Sequence, residues 1–331
     1  MSDFSRRQLT VIGGGVLLLV ISVLAALCGN SGIAETFDFL SGKNPDDILR
    51  IIIFELRLPR ILAALLCGAA LGVAGAILQS VLHNPLASPE LLGISAGGGC
   101  AGLLVLIWLP SLLPYLGIAV FAGALTVTLL VFAAARSRWF SPLRLILAGV
   151  ALGALFGTVS TVILMIGSDR YGMVFNFLLG GFTGISFSEL KLFAPGVLIA
   201  LTAAFFIRGR LDMLALGDEC AAALGIKVPL VRLTALLIAA LGAASAAGMA
   251  GMLGFAGLIA PHTVRLLGRS GSNKFVIPAS AVAGAGLVLL GDWLGQILLP
   301  NGVEIPAGVF LAGCGALFFI VLLVLSRSDD L

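Results

Sequence analysis

The chain is too apolar to present a water-exposed surface around its whole length. Its 331 residues are 60% apolar and 11% charged, with a formal net charge of +3 and a mean hydropathy of +1.17. Soluble proteins carry about 25% charged and roughly 45–50% apolar residues, which excludes a soluble enzyme. The Lys and Arg residues are scattered through short connections, so a nucleic-acid partner is also excluded. The composition predicts an all-α polytopic membrane protein.

About ten apolar runs are each long enough to cross a hydrocarbon layer of about 30 Å as a helix. In chain order these runs are Leu9–Cys28, Arg60–Leu82, Leu91–Leu109, Tyr115–Ala135, Arg144–Ile166, Phe187–Ile207, Leu230–Gly251, Met252–Leu267, Phe275–Leu299 and Pro306–Leu325. The seventh and eighth runs have almost no polar residue between them, so their boundary carries the weakest signal. Residues 1–331 are therefore expected to form a single transmembrane domain.

The first run follows two arginines, Arg6 and Arg7, and so has the charge pattern of a signal peptide. It is about 20 residues long and lacks a small-residue cleavage site, which favours an uncleaved first span. An even number of spans places both termini on one side. With both termini in the cytoplasm, thirteen Lys and Arg residues lie inside and six outside, as the positive-inside bias requires.

The long external connection, residues 29–58, is the first of two connections that could carry function. Within it, Asp46–Leu56 is predicted to be a partly amphipathic helix that enters the sequence Arg57-Leu58-Pro59-Arg60. The second, internal connection is Arg208–Pro229, which is predicted to hold a short helix, a glycine break and a second helix ended by Gly225. So short a segment has no core of its own and is expected to lie against the spans or a partner.

Glycines recur inside the predicted spans at intervals of three or four residues, as at Gly68, Gly72 and Gly75. Such spacing lets helix backbones approach closely where lipid supplies no hydrophobic driving force. Tight helix packing is the favoured interpretation. The alternative is that some of these glycines let helices bend or slide during transport.

Catalytic constellations are nearly absent from the sequence. The two histidines, His83 and His262, stand beside prolines or loop residues without a second histidine or a carboxylate at helical spacing. Structural or capping roles are therefore favoured over catalysis or metal binding. The five cysteines are widely spaced, form no CxxC pair and are interpreted as small apolar side chains. No metal site is predicted.

An ion-coupled secondary transporter is the alternative class of membrane protein. Such carriers keep ionisable groups near the bilayer midplane, where an ion is bound and released. Asp292 is the acidic candidate, about two turns from the outer end of the ninth predicted span. It is expected to be a structural or pathway residue facing protein or water.

A series of ordered motifs runs through the whole chain. The motifs are Arg57–Arg60, Gly68–Gly75 with Gln79, Asn84–Ser95, Leu147–Leu152, Leu214–Gly217, Gly254–His262 and Glu304–Gly308. At this order and spacing the chain resembles the FecCD family of ABC importer permeases. The resemblance implies a type II ABC importer permease fold, a homodimer of ten-helix subunits and a place in the bacterial inner membrane. Its expected substrate is an iron-siderophore or related metal chelate, with haem or vitamin B12 as alternatives.

The resemblance also implies a role for the internal connection. Asp212–Lys227 is similar to the family's coupling helices, which dock into a groove of a cytoplasmic ATPase. The residues that match this motif are Leu216, Gly217, Glu219, Ala221 and Gly225. An ordinary amphipathic loop helix is the alternative.

Two arginines match the family's external docking positions. Arg57 and Arg60 are expected to receive acidic residues of a substrate-binding protein, since guanidinium groups pair bidentately with carboxylates and keep their charge. Anchoring to lipid headgroups is the alternative. Gln296 stands where the vitamin B12 members of the family carry a third arginine.

The fifth span and its start match the family's translocation pathway and inner gate. Ser141, Pro142 and Leu143 stand at the gate, where Pro142 and Leu143 replace a small hydroxylated pair of the vitamin B12 members. Ser160 and Thr161, further along the span, are expected to border a wide and weakly adhesive pore. Simple helix packing is the alternative for these small side chains.

Nucleotide chemistry is expected in a partner. The motif G-x-x-x-x-G-K-[ST] does not occur in the sequence, so ATP and Mg are expected to be bound by a separate ATPase, and no cofactor is expected in this chain. The implied partners are a second permease copy, two ATP-binding cassette subunits, a substrate-binding protein and the lipid bilayer. The Ser88-Pro89-Glu90 variant of one motif favours iron-siderophore members.

Overall fold

The computed structural model describes residues 3–28, 47–135, 141–167, 171–299 and 304–326, and every regular element in these ranges is helical. The α-helices, numbered in chain order, are α1 Asp3–Cys28, α2 Asp47–Ile51, α3 Leu58–Val81, α4 Ile94–Trp108, α5 Leu116–Ala134, α6 Pro142–Ile166, α7 Tyr171–Leu179, α8 Phe187–Leu214, α9 Asp218–Ala223, α10 Val228–Ala250, α11 Ala256–Gly268, α12 Asn273–Ile297 and α13 Ala307–Ser326. A π-helical turn, Ile52–Arg57, joins α2 to α3, and 3-10 turns, Pro89–Leu92 and Pro110–Tyr115, precede α4 and α5.

Each of the ten predicted spans coincides with one of these helices, which confirms the all-α, multi-pass prediction. Seven helical segments, those containing α1, α3, α5, α6, α8, α10 and α12, are long and apolar enough to cross a membrane. Helix α4 and the apolar stretch Ala307–Leu322 of α13 are shorter. The predicted span Met252–Leu267 is represented by α11, whose 13 residues extend only about 20 Å.

Three boundaries differ from the predictions. Helix α7 lies in a connection for which no helix is predicted. Helix α8 continues past the predicted end at Ile207 as far as Leu214, so the coupling segment contains the end of α8 and one short helix, α9, instead of a separate helix pair. In the external connection, Asp46 lies outside the described residues, and the predicted helix runs without a break through the π-helical turn into α3.

Helix α3 forms the centre of the bundle. It is buried almost continuously from Cys67 to Val81 and packs against α8, α10, α11 and α12. Its glycines touch neighbouring backbones: an added Cβ at Gly68 would lie 2.3 Å from the carbonyl oxygen of Gly284, and one at Gly72 would lie 2.2 Å from that of Ser280. The favoured interpretation of these glycines, close helix packing, agrees with this geometry.

Helix α6 is the opposite case, because most of its surface is exposed. Only Leu145, Gly149 and Ile163 of its 25 residues are buried. A Cβ added at Gly153 or Gly157 would meet no atom within 4 Å. Gly68 and Gly72 of α3 are therefore packed against backbone, whereas Gly153 and Gly157 of α6 are open.

Candidate functional site

The two ends of the bundle carry different sets of polar residues. The end named here the Arg60 end contains the start of α3, the end of α12 and the residues just before α13. The end named the Asp218 end contains α9, the start of α10 and the end of α8. Their separation follows from the alternating direction of the helices, and each predicted set of site residues falls at one of these ends or on α6.

At the Arg60 end, Arg60 is held by two carboxylates of its own chain. Its Nε and one terminal nitrogen donate to the two oxygens of Asp292 at 2.7 and 2.9 Å. Its other terminal nitrogen lies 2.9 Å from Glu304 Oε2. The side chains of Arg60 and Asp292 are 16% and 3% exposed, whereas Glu304 is 38% exposed. Asp292 is thus a structural partner of Arg60, in agreement with its expected role.

Two further side chains extend this network. Gln296 donates to Asp292 Oδ2 at 2.9 Å, and Thr183 donates to Glu304 Oε2 at 3.1 Å. Thr183 and Glu304 line an open cleft of about 690 Å³ between α5, α8, α10 and the start of α13. Arg57, the second predicted docking arginine, is half-exposed and donates to the backbone carbonyl of Leu27 at 2.8 Å. The two arginines therefore share one end of the bundle but differ in their contacts: Arg60 is paired with two carboxylates, and Arg57 with a backbone carbonyl.

We expect Asp292→Ala to destabilise the folded subunit by about 3 kcal/mol, because it leaves the largely buried guanidinium of Arg60 without its bidentate partner. Glu304→Ala is the matched control: it removes the more exposed carboxylate on the same guanidinium and is expected to cost less than about 1 kcal/mol. Thermal unfolding of the purified subunit in detergent measures both values. Equal losses in the two variants would contradict the assignment of Asp292 as the principal partner.

At the Asp218 end, α9 is set off by two glycines with left-handed backbone. Gly217 has φ 101° and Gly225 has φ 84°, a conformation that favours glycine because other residues have a Cβ. Among the predicted coupling residues, Leu216, Glu219 and Gly225 are exposed, whereas Ala221 is fully buried against the bundle. The segment therefore has an outward face available to a partner and an inward face that anchors it.

The inward face is anchored by an ion pair between a buried arginine and a half-buried aspartate, which was not predicted. Arg232 of α10 is 0% exposed, and its terminal nitrogens donate to the two oxygens of Asp218 at 3.1 and 2.6 Å. The available sequence signal was an arginine inside an apolar run, which requires a nearby acid because an unpaired charge is costly to bury. The carboxylate one residue before Glu219 meets that requirement.

Two other contacts join this end to the remaining helices. Asp212, in the last turn of α8, accepts hydrogen bonds from the hydroxyl of Ser272 and from the backbone N–H of Asn273 at the start of α12. His83 lies 3.2 Å from the carbonyl oxygen of Leu214, at the end of α8. His83 thus has the capping geometry that was favoured over catalysis, and the coupling segment is tied to α10, α12 and the end of α3.

The predicted pathway residues lie on the exposed side of α6. Leu143 is 65% exposed, and Ser141 and Pro142 at the helix start are half-exposed. Ser160 and Thr161 donate their hydroxyl hydrogens to carbonyl oxygens of the preceding turn at 2.8 and 3.0 Å. Their donors are satisfied within the helix, so this surface offers a passing solute few new hydrogen bonds.

In the part of the chain that the structure describes, no group of three His, Cys, Asp or Glu side chains is arranged to hold a metal ion. His262 packs edge-on against the ring of Phe318, with centroids 5.8 Å apart. The polar groups of both ends are paired with one another or exposed to a partner. Such an arrangement suits docking and movement rather than bond-breaking chemistry.

The sequence and fold match one family of transport proteins. The pattern of the FecCD transport family covers residues 16–325. The Fe(3+)-citrate import system permease protein YfmE of Bacillus subtilis (strain 168) is 37% identical over 328 residues, 98% of each chain. The vitamin B12 import system permease protein BtuC of Klebsiella pneumoniae is 36% identical over 98% of this chain and 96% of its own.

A solved structure has the same fold. The inward-facing structure of a metal-chelate type ABC transporter superposes with a TM-score of 0.81 and 29% identity, over 95% of this chain and 99% of its own. The fold and the ends of the bundle thus define a permease subunit of an ABC importer, with ATP hydrolysis located in a partner. The chain belongs to the FecCD transport family, and its substrate is of the iron-chelate, haem or vitamin B12 type.

Proposed function

We propose that this permease imports a ferric chelate, such as an iron-siderophore, as a homodimer with two ATPase subunits and a substrate-binding protein. The observation that carries the choice of iron is the similarity to two Fe(3+)-citrate permeases, YfmE and FecD of Escherichia coli (strain K12), the second 35% identical over 277 residues. Haem and vitamin B12, carried by other relatives, are the alternatives by the same mechanism.

The open face of α6 supports the assignment of the pathway. The apolar surface of α6 runs along the helix and carries glycines and hydroxyls that bond within the helix, which suits a second subunit or a bulky substrate as its neighbour. Gly153 and Gly157 leave room in front of the helix. A wide and weakly binding channel suits a bulky chelate that a binding protein delivers, because tight binding in the membrane would slow its release.

The Arg60 end and the Asp218 end are assigned to different partner proteins. The Arg60 end faces the binding protein outside the cell, with Arg57 offering its positive charge to a partner carboxylate. The Asp218 end faces the cytoplasm, where the exposed Leu216 and Glu219 contact the ATPase that binds ATP and Mg. Both termini are cytoplasmic and the membrane is the bacterial inner membrane, in line with the excess of basic residues on that side.

The test of this function is uptake by the complex in proteoliposomes. The permease, ATPase subunits and binding protein are supplied with ATP and with a radiolabelled ferric trihydroxamate, ferric citrate, haem or cobalamin. ATP-dependent uptake of a ferric chelate, with little uptake of haem or cobalamin, is the expected result. Preferential uptake of haem or cobalamin would show that this compound, and not a ferric chelate, is the substrate.

Combined replacement of Glu219→Ala and Gly225→Ala is expected to lower uptake at least tenfold while insertion of the permease into the membrane is unchanged. The first change removes an exposed side chain of the ATPase contact, and the second strains a left-handed backbone position that costs an alanine about 1 kcal/mol or more. Cys220→Ser, on the same exposed turn, is the matched control and should retain uptake.

ATPase retention on the immobilised permease and ATP hydrolysis are measured alongside uptake. Uncoupled hydrolysis or loss of the ATPase in the double variant supports the assignment. Full uptake by the double variant would contradict the assignment of this segment as the ATPase contact. Uptake without any ATPase, driven by an imposed proton gradient, would instead favour the ion-coupled class of transporter.

A further inference from the structure

Helices α3 and α12 run antiparallel and keep one register from the Arg60 end to the Asp218 end. Four contacts follow this register in order: Arg60 with Asp292, Gly68 with Gly284, Gly72 with Ser280, and Ser80 with Asn273. The first and the last are hydrogen bonds of 2.7 Å, and the two between them are contacts with backbone. The contacts extend over about 30 Å, the thickness of the hydrocarbon layer. Because they are closed at both ends and in the middle, the two helices move as one unit, named here the α3/α12 pair.

The N-terminus of α12 is capped by a different helix. A helix is usually capped by the side chain of its own N-cap residue, but Ser272 at this position makes no such hydrogen bond. Asp212 of α8 instead accepts hydrogen bonds from the hydroxyl of Ser272, at 2.9 Å, and from the backbone N–H of Asn273. A carboxylate is favourable there because the N-terminus of a helix carries partial positive charge. The first turn of α12 is therefore held by α8.

The end of α8 is bonded to both members of the α3/α12 pair. Asp212 is half-buried and is the first residue of Asp212–Lys227, the segment that is proposed to contact the ATPase. The carbonyl oxygen of Leu214, the last residue of α8, lies 3.2 Å from a ring nitrogen of His83, which follows α3 by two residues. A displacement of the end of α8 therefore acts on α12 through Asp212 and on α3 through His83.

We propose that the α3/α12 pair couples the ATPase contact to the binding-protein contact, and that Asp212 is the positioning residue that attaches the pair to the coupling segment. The inference rests on the proposed function, which assigns the ATPase to the Asp218 end and the binding protein to the Arg60 end. Movement of α8 by the ATPase shifts the pair and, with it, Arg60. Because such coupling is reciprocal, the binding protein changes the affinity for ATP by the same factor.

The test compares the affinity of the ligand-free binding protein for the permease–ATPase complex with and without a non-hydrolysable ATP analogue. In the wild-type complex the analogue is expected to change this affinity at least about fivefold, the lower range for coupled sites. Asp212→Ala should reduce the change to less than about twofold, because the end of α8 no longer holds α12. Thermal unfolding and retention of the ATPase subunits are measured on the same samples.

A second variant separates coupling from stability. Asp212→Ala combined with Ser272→Asp supplies a cap from the N-cap position of α12 itself, without a bond to α8. This double variant should unfold at the wild-type temperature and retain the ATPase, yet still lack the nucleotide-dependent change in affinity. Asp212→Asn keeps an acceptor oxygen for the N–H of Asn273, so it should preserve the change.

Ser186→Ala is the matched control, because it removes the N-cap of α8, whose partners lie within that helix. It should lower the unfolding temperature and leave the nucleotide-dependent change in place. A full change in the capped double variant would overturn the proposal, as would a wild-type complex in which the analogue leaves binding-protein affinity unaltered. A permease that binds neither the ATPase nor the binding protein would instead refute the proposed partners, and this inference with them.

Discussion

Gly75→Ala is expected to prevent the permease from folding to a stable subunit. The added Cβ would lie 1.6 Å from the carbonyl oxygen of Gly257. No side-chain rotation can relieve this contact, because the backbone fixes the position of the Cβ and the oxygen belongs to the facing backbone. Helices α3 and α11 would have to separate, and α3 is the centre of the bundle. We expect a loss of at least about 3 kcal/mol, the upper range for overpacking, with little monodisperse protein in detergent.

Gly157→Ala is the matched control, since it adds the same methyl group to a transmembrane helix at a position with no atom within 4 Å. This variant should elute as a single species and unfold at the wild-type temperature. Fluorescence-detected size exclusion and thermal unfolding distinguish the two outcomes. Normal yield and stability of Gly75→Ala would show that α3 and α11 are not in backbone contact.

Asp218→Ala is expected to destabilise the permease by about 3–5 kcal/mol, because it leaves the fully buried guanidinium of Arg232 without its bidentate carboxylate. Asp218→Leu combined with Arg232→Met should recover most of that loss, since an apolar pair of similar volume avoids the cost of burying charge. Thermal unfolding of the purified subunits measures both values. Thr234→Val on the same helix, whose hydroxyl bonds only within α10, is the control.

The double variant also separates stability from transport. If the ion pair only stabilises the Asp218 end, the double variant regains both folding and uptake in the complete complex. If the geometry of the pair positions α9 for the ATPase, folding returns and uptake does not. A single variant Asp218→Ala that unfolds at the wild-type temperature would contradict the burial of the pair.

The helices could be predicted from the sequence because an unbroken run of about 20 apolar residues satisfies its backbone hydrogen bonds in a membrane by forming a helix. The same criterion of length explains where the helices differ from the predicted spans. Tyr171–Leu179 is too short to be recognised as a span. Helix α11 is shorter than the run that predicted it because residues 252–255 are not helical, and Phe255, just before the helix, has φ 63°. The extension of α8 to Leu214 passes through Arg208 and Arg210, charges that had suggested the end of a span.

The predicted docking and coupling residues lie at the two ends of the bundle, and their roles there stay predictions. The ion pairs within the chain were not predicted: Arg60 was expected to receive acids of a binding protein, and in the structure it is paired with Asp292 and Glu304. These acids lie more than 230 positions away in the chain, so no local pattern indicates the contact.

Composition and the apolar runs alone determined that the protein is helical and crosses a membrane repeatedly, because both properties depend on transfer of local segments from water to lipid. Tertiary structure decided which glycines are packed and which charges are paired. Those properties depend on contacts between distant helices. In a chain with so few charged residues, the few that are present are informative, but their partners become known only when the helices are assembled.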